Sequence, residues 1–289
     1  MTKQSRSEFL DVRGLRYHVR TWGNHAGRPL WLLHGWMDVS ASFQFVVDEL
    51  AGEYRVLAPD WRGFGLTQWA AGGYWFPDYL GDLDALLRAF TPEGAVDIVG
   101  HSMGGNVANL YAGARPARVR RLALLEGFGL ARMAPSAAPA RYEKWLDELA
   151  EAPSIKPYGS LDEVAARLMR NNPRLPPERA HFLAPHWSVP RADGSYGLAG
   201  DPAHKMVNPV LYRLEEAIAC WRRIEAPVLW VWGDGQWLRR WFRSGEQDLA
   251  ERRAAFRDLR EATLPECGHM MHHDQPAALA RLLDDFLNR

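Results

Sequence analysis

The chain has 289 residues, of which 47% are apolar and 24% charged, and its formal net charge is zero. This is an ordinary globular composition, long enough for one α/β domain with an insertion. It gives no electrostatic reason to expect nucleic acid or an anionic membrane as partner, and no apolar run is long enough to cross a bilayer. The polar start, Met1 to Glu8, lacks the apolar core of a secretory signal. The two cysteines, Cys220 and Cys267, form no disulfide framework, and Cys267 reads as a buried thiol. Together these features lead to the expectation of a cytoplasmic protein.

Phe9 to Val12 and Leu15 to Arg20 read as a hairpin about Gly14. Pro29-Leu30-Trp31-Leu32-Leu33 is a continuous apolar run, as in a strand buried on both faces, and it ends in His34-Gly35-Trp36. Phe43, Val46, Val47 and Leu50 recur at helical spacing. The strand Tyr54 to Ala58 stops at Pro59 and leads into the loop Asp60-Trp61-Arg62-Gly63-Phe64-Gly65. Tyr79, Leu80, Leu83, Leu86, Leu87 and Phe90 form a second helical stripe.

Next comes the most informative stretch. Val96-Asp97-Ile98-Val99 predicts a short buried strand, Gly100-His101-Ser102-Met103-Gly104 a turn, and the residues from Gly105 to Tyr111 a helix. The turn has the pattern G-x-S-x-G, in which a sharp strand-to-helix reversal lifts a serine hydroxyl above the sheet. Such a reversal needs positions without a Cβ, and it sets Ser102 near a helix N-terminus that favours negative charge. Val119 to Leu125 is a further strand, ending at Glu126-Gly127. Strands alternating with helices predict a mostly parallel sheet covered on both faces.

The rhythm then stops. From Phe128 to Leu214 there are prolines, short amphipathic pieces, a turn at Asp193-Gly194, and a capping box at Ser160-Leu161-Asp162-Glu163. This segment reads as a cap over the sheet. The core resumes with Pro227 to Gly233, a helix over about 246–256, a strand near Ala262-Thr263-Leu264, and a last helix carrying Leu279, Leu282, Leu283, Phe286 and Leu287. The predicted units are therefore a core, 1–127 with 215–289, and a cap, 128–214. Trp36, Trp61, Trp69, Trp75, Trp187, Trp232, Trp237 and Trp241 stand in or near loops, which suggests walls of an apolar pocket.

With these landmarks the chain resembles the α/β-hydrolase family along nearly its whole length. The residues that carry the resemblance are His34-Gly35, Asp60-x-Arg62-Gly63-x-Gly65, Gly100-x-Ser102-x-Gly104, Pro227 to Gly233, and Gly268-His269 followed by Asp274-Gln275-Pro276. Gly200-Asp201-Pro202 and the late Gly-His-Met-Met-His most resemble the serine-hydrolase-like branch. The resemblance implies an α/β-hydrolase fold with an eight-stranded, mostly parallel sheet and a mainly helical cap between strands six and seven.

It also implies roles. Ser102 is the expected nucleophile, which needs a base because a hydroxyl attacks poorly at neutral pH. His269 is the expected base, its ordinary pKa near ~6.5 suiting both proton uptake and release. The acid is ambiguous. Much of the family has Gly-x-x-Asp after strand seven, but Gly233-Asp234-Gly235-Gln236 puts an amide at that position. Asp234 and Glu126 remain, and Glu126, closing strand six as in some branches, is preferred. The backbone N–H groups of Trp36 and Met103 are the expected oxyanion hole. His34, Asp60 and Arg62 read as scaffold.

Cys267, His269, His272, His273 and Asp274 lie close in sequence but show neither H-E-x-x-H nor paired cysteine spacing, so no metal or other cofactor is expected. His272 and His273 read as a pair facing solvent or the cap. The expected activity is hydrolysis of small-to-medium hydrophobic carboxylic esters. The alternatives are a lactonase, thioesterase or amidase, or an inactive fold used as a small-molecule receptor. The expected partner is the ester itself, with no nucleic acid and no membrane; the sequence leaves oligomeric state open.

Overall fold

The computed structural model describes residues 2–233 and 245–289. Ten strands are described: β1 (Ser5–Val12), β2 (Leu15–Trp22), β3 (Arg28–Leu33), β4 (Tyr54–Pro59), β5 (Val96–His101), β6 (Val119–Leu125), β7 (Ser188–Pro190), β8 (Tyr196–Leu198), β9 (Val228–Gly233) and β10 (Leu259–Leu264). Eight of them form one sheet in the order β1-β2-β4-β3-β5-β6-β9-β10. Only β1 with β2 and β2 with β4 pair antiparallel; β4, β3, β5, β6, β9 and β10 run parallel. The predicted hairpin turns at Arg13 and Gly14, with φ of 47° and 82°, the paired positive values of a type I′ turn.

The continuous apolar runs are explained by two-sided burial. Side chains alternate across a strand, and both sets here meet helices. Trp31, Leu33, Ile98, Leu122, Leu124 and Trp230 form one apolar layer with α2 (Phe76–Phe90), α3 (Met103–Ala114) and α7 (Leu214–Trp221). Leu30, Leu32, Val99, Ala123, Leu125, Leu229 and Val231 form the other, against α1 (Gln44–Glu49) and the C-terminal helix Pro276–Leu287. No described helix is long and apolar enough to cross a membrane.

Residues 128–214 contain α4 (Ala138–Ala150), α5 (Leu161–Asn171), α6 (Pro177–Leu183) and the ribbon of β7 and β8. α5, α6 and the ribbon enclose an apolar cluster of their own, with Val164, Leu168, Leu175, Leu183 and Leu198. The ribbon was not predicted, although its turn at Asp193-Gly194 was. Ser160 caps α5 by accepting from the N–H of Glu163, but the return bond from Glu163 reaches Gly159 rather than Ser160, one residue before a regular capping box.

The Gly200-Asp201-Pro202 segment latches this region to the loop after β4. The Gly65 N–H donates to Ala199 and the Asp201 N–H to Gly63, both at 2.8 Å. Tyr74 donates to Asp201 at 2.7 Å, and the His204 ring stacks between Phe64 and Tyr74.

Candidate active site

The reversal after β5 is as tight as its glycines imply. A Cβ on Gly100 would lie 2.6 Å from the Gly104 carbonyl, and one on Gly104 would lie 2.2 Å from that of Leu33. Ser102 sits at the turn with φ 50° and ψ −115°, a backbone that only a closely determined surrounding sustains in a non-glycine residue. Its N–H donates to Leu125 at 2.8 Å, and α3 begins at the next residue, Met103. Met103 therefore has one of the N–H groups that a helix leaves without an internal partner.

His269 arrives from the other end of the chain, in the loop between β10 and the short helix Met271–Asp274. It is fastened to the elbow through His101, the neighbour of Ser102. The His101 Nε2–H donates to the His269 carbonyl at 2.8 Å, and the two ring centroids are 4.7 Å apart. On its far side, His269 Nδ1 meets Glu126 Oε2 at 2.8 Å. The other oxygen, Oε1, accepts the Gly233 N–H at 2.9 Å. Glu126 is 7% exposed and has φ 49°, so it ends β6 in a second strained conformation. Its bond fixes the imidazole tautomer, with the proton on Nδ1 and the lone pair on Nε2. Asp234, the other candidate acid, and Gln236 lie outside the described residues.

The loop after β3 passes directly over the elbow. A Cβ on Gly35 would lie 3.2 Å from that of Ser102 and 2.9 Å from His101 Nδ1. His34 anchors this loop: its Nδ1–H donates to Gly35 at 2.8 Å, its Nε2 accepts the Trp61 N–H at 2.9 Å, and the Trp61 indole donates to its carbonyl at 3.0 Å. Trp36, the expected second oxyanion donor, lies in this loop, its indole donating to the His204 carbonyl at 3.2 Å. Asp60 accepts from the N–H of Ser40 and of Leu66 and pairs with His18, while Arg62 forks onto Asp82 at 2.6 and 2.7 Å. These are scaffold contacts that set the path of the loop.

Two readings change, and two residues were missed. His272 and His273 do not face solvent: they are 0% and 2% exposed, packed with Phe43 and Phe45, and burial pushes His273 down to about 3, although His273 does lie against the cap, its carbonyl accepting from Arg179 of α6. The four-residue helix that holds them is too short for periodicity to reveal which face is buried. Of the described tryptophans expected to wall a pocket, only Trp36 and Trp187 line the cavity beside His269. Trp61 is fully buried, whereas Trp69 and Trp75 are 48% and 56% exposed. Asp38 and His101, both buried beside the site, were not singled out in the sequence, although their positions in the two landmark loops are a usable signal.

The cavity measures about 570 Å³. Its apolar wall includes Trp36, Met37, Leu168 and Trp187, and Arg167, Arg174 and Lys205 also line it. The described lining contains no carboxylate.

The profile of the α/β-hydrolase fold family matches residues 28–276. The chain belongs to this family. As an α/β-hydrolase it is 26% identical to a serine hydrolase-like protein of Danio rerio, over 99% of this chain and 89% of the relative. It is 32% identical to a 3-hydroxybutyrate-oligomer hydrolase of Cupriavidus necator, over 92% of this chain and 90% of the relative. Among solved structures, the thioesterase domain from the curacin biosynthetic pathway superposes with a TM-score of 0.84 at 25% identity, covering 97% of this chain and 99% of that one. This α/β-hydrolase thus resembles serine hydrolase-like proteins and has a hydrolase of 3-hydroxybutyrate oligomers and a thioesterase domain among the proteins it is similar to.

Proposed function

We propose that the protein is a serine hydrolase of carboxylic esters, working through an acyl-enzyme. The observation that carries the reading is the 2.8 Å contact between Glu126 and His269 Nδ1, in a loop fastened to the residue beside Ser102. Ser102 Oγ attacks the ester carbonyl while its proton passes to His269 Nε2. The resulting imidazolium is stabilised by the Glu126 carboxylate, which stays ionised. Charge on the carbonyl oxygen is met by the N–H groups of Trp36 and Met103, each such donor contributing roughly 3 kcal/mol to the barrier reduction. Collapse expels the alcohol with the proton from His269. Water then attacks the acyl-enzyme by the same base, and the acid leaves as Ser102 regains its proton. An acid side chain set against the histidine supports this reading over an inactive receptor.

The cavity supports a hydrophobic acyl or alcohol group of small to medium size, and its three cationic side chains support a substrate with a carboxylate remote from the scissile bond. The relative named for 3-hydroxybutyrate oligomers fits this chemistry, since such oligomers are esters that end in a carboxylate. A fluorophosphonate probe tests the nucleophile: it should label the peptide carrying Ser102, and no labelling of the folded wild-type protein would overturn the proposal. Monoesters of a short dicarboxylic acid should show a lower KM than their neutral diesters, and equal KM values would remove the charged part of the substrate reading.

A further inference from the structure

Beside the elbow, Asp38, His101 and His272 come together with 2%, 1% and 0% exposure. One donor atom from each can be chosen so that all three lie within 4.8 Å of one another. Their bonding is incomplete. Asp38 Oδ1 accepts from the Val39 N–H and the Ser42 hydroxyl, whereas Oδ2 faces His272 Nε2 at 3.4 Å without a hydrogen bond. His101 Nε2 carries a proton, because it donates to the His269 carbonyl; Nδ1 therefore holds the lone pair, and it has no partner among the described residues. Of the His272 ring nitrogens, Nε2 has only the 3.4 Å contact with Asp38, and Nδ1 makes no hydrogen bond among the described residues. Buried polar atoms without hydrogen bonds are costly, and here several of them converge on one point.

The geometry points to a binding site for one divalent transition cation of the Zn²⁺ or Co²⁺ kind, held by Asp38, His101 Nδ1 and His272. Two imidazole nitrogens and one carboxylate oxygen suit that class, while Mg²⁺ and Ca²⁺ prefer oxygen donors throughout. Bonds of about 2.0–2.1 Å in a tetrahedral site place donors roughly 3.4 Å apart. The Asp38–His272 edge already has this length. A ligating imidazole commonly donates its other N–H to a carbonyl or carboxylate, which fixes its tautomer, and His101 does so. A Cβ on Gly35 would press on His101 Nδ1 at 2.9 Å, so the glycine keeps a side chain off that nitrogen.

This departs from the sequence expectation of no metal. Of the five residues weighed there, only His272 belongs to the cluster. The ion would tie together the loop of Trp36, the strand end before Ser102 and the segment after His269, without touching substrate. The inference does not depend on Ser102 being a nucleophile.

The test uses the full chain, stripped with a chelator and titrated with Co²⁺, followed by X-ray absorption of the Zn²⁺ form. One equivalent should bind, give a visible Co²⁺ absorption band, and raise the Tm. The absorption edge should report nitrogen and oxygen donors, including two imidazoles, and no sulfur. Asp38→Asn and His272→Gln should each weaken binding by at least about tenfold, whereas His269→Ala should retain it. No stoichiometric binding, a sulfur ligand, or loss with His269→Ala but not with His272→Gln would overturn the site. Should the cluster variants fail to fold, the wild-type stoichiometry and ligand spectrum decide by the same criteria.

Discussion

Among the described residues, two hydrogen-bonded histidine–carboxylate pairs lie close to a serine, and their backbone settings differ. In the first, His269 joins Glu126 at 2.8 Å beside Ser102. In the second, His18 joins Asp60 at 2.7 Å, and its other nitrogen meets Ser7 Oγ at 2.9 Å. By side-chain distances alone the second is the more complete. The backbone separates them. Ser7 lies in β1, an edge strand paired only with β2, in extended conformation and exposed to water. Ser102 occupies a strained turn at the start of a helix, under the loop of Gly35 and Trp36. Catalysis needs donors aimed at developing charge and a place for substrate, and the β1 serine has neither beside it. A triad of residue types is thus a weak signature until the main chain around the hydroxyl is considered.

Exchanging the serines gives the sharpest test of this contrast. Ser102→Ala should reduce ester turnover by about 10⁶-fold, the scale seen when a triad nucleophile is removed, and should abolish fluorophosphonate labelling. If Ser102→Ala kept its activity and Ser7→Ala lost it, the assignment of the two constellations would be reversed.

The two carboxylates separate next. Glu126→Gln should lower kcat by about 10⁴-fold with little change in KM, since the imidazole loses the anion that orients it and stabilises its charged form. Asp60→Asn should instead appear in the melting curve, costing about 3–5 kcal/mol as a buried charged pair is broken, while kcat of the folded fraction stays within a fewfold.

Asp60 also predicts a pH dependence. Burial alone would raise its pKa, but the His18 bond and the imidazoles around it outweigh burial and hold it below the ordinary carboxylate range. A depressed native pKa means stability that is complete above the unfolded value of about 3.9 and lost as pH falls towards the native one. The wild-type Tm should already decline below about pH 6.5, where neutral imidazoles such as those of buried His273 and half-buried His204 resist the proton the unfolded chain takes up, and the Asp60 contribution should be lost in addition below about pH 4. Asp38 is depressed in the same direction, so the Asp60→Asn curve should be shallower rather than level.

Much of this was legible in the chain. The buried strands announced themselves as unbroken apolar runs, because a strand covered on both faces has no polar side to show. Gly100, Gly104 and Gly35 marked close backbone approach, and the positions of Ser102 and His269 followed from their loops. What resisted was through-space. The choice between Glu126 and Asp234 turns on how the end of β6 meets a loop 143 residues later, which no local pattern encodes. The burial of His272 and His273 was missed because adjacent residues in a single helical turn give no period. Ser7 and His18 raised no signal, being diagonal neighbours across a hairpin in which Ser7 pairs with Arg20 and His18 with Phe9.

The smallest expected effect closes the comparison. The Ser7 hydroxyl makes one bond, to His18 Nε2, and Ser7 is exposed, so water can replace the hydroxyl when it is removed. An ordinary hydrogen bond of this kind is worth about 0.5–1.5 kcal/mol, and the water that replaces it recovers part of that. Ser7→Ala should lower stability by at most about 1 kcal/mol, a shift of a few degrees or less in Tm for a chain this long, and leave kcat/KM within about twofold, a difference under 0.5 kcal/mol in the barrier. A tenfold loss of kcat/KM in a variant that still folds would mean that the His18–Asp60 pair reaches the chemistry after all. The route would run through the loop from Asp60 to Gly65 and its latch to Ala199 and Asp201, and Asp201→Asn should then reproduce the loss.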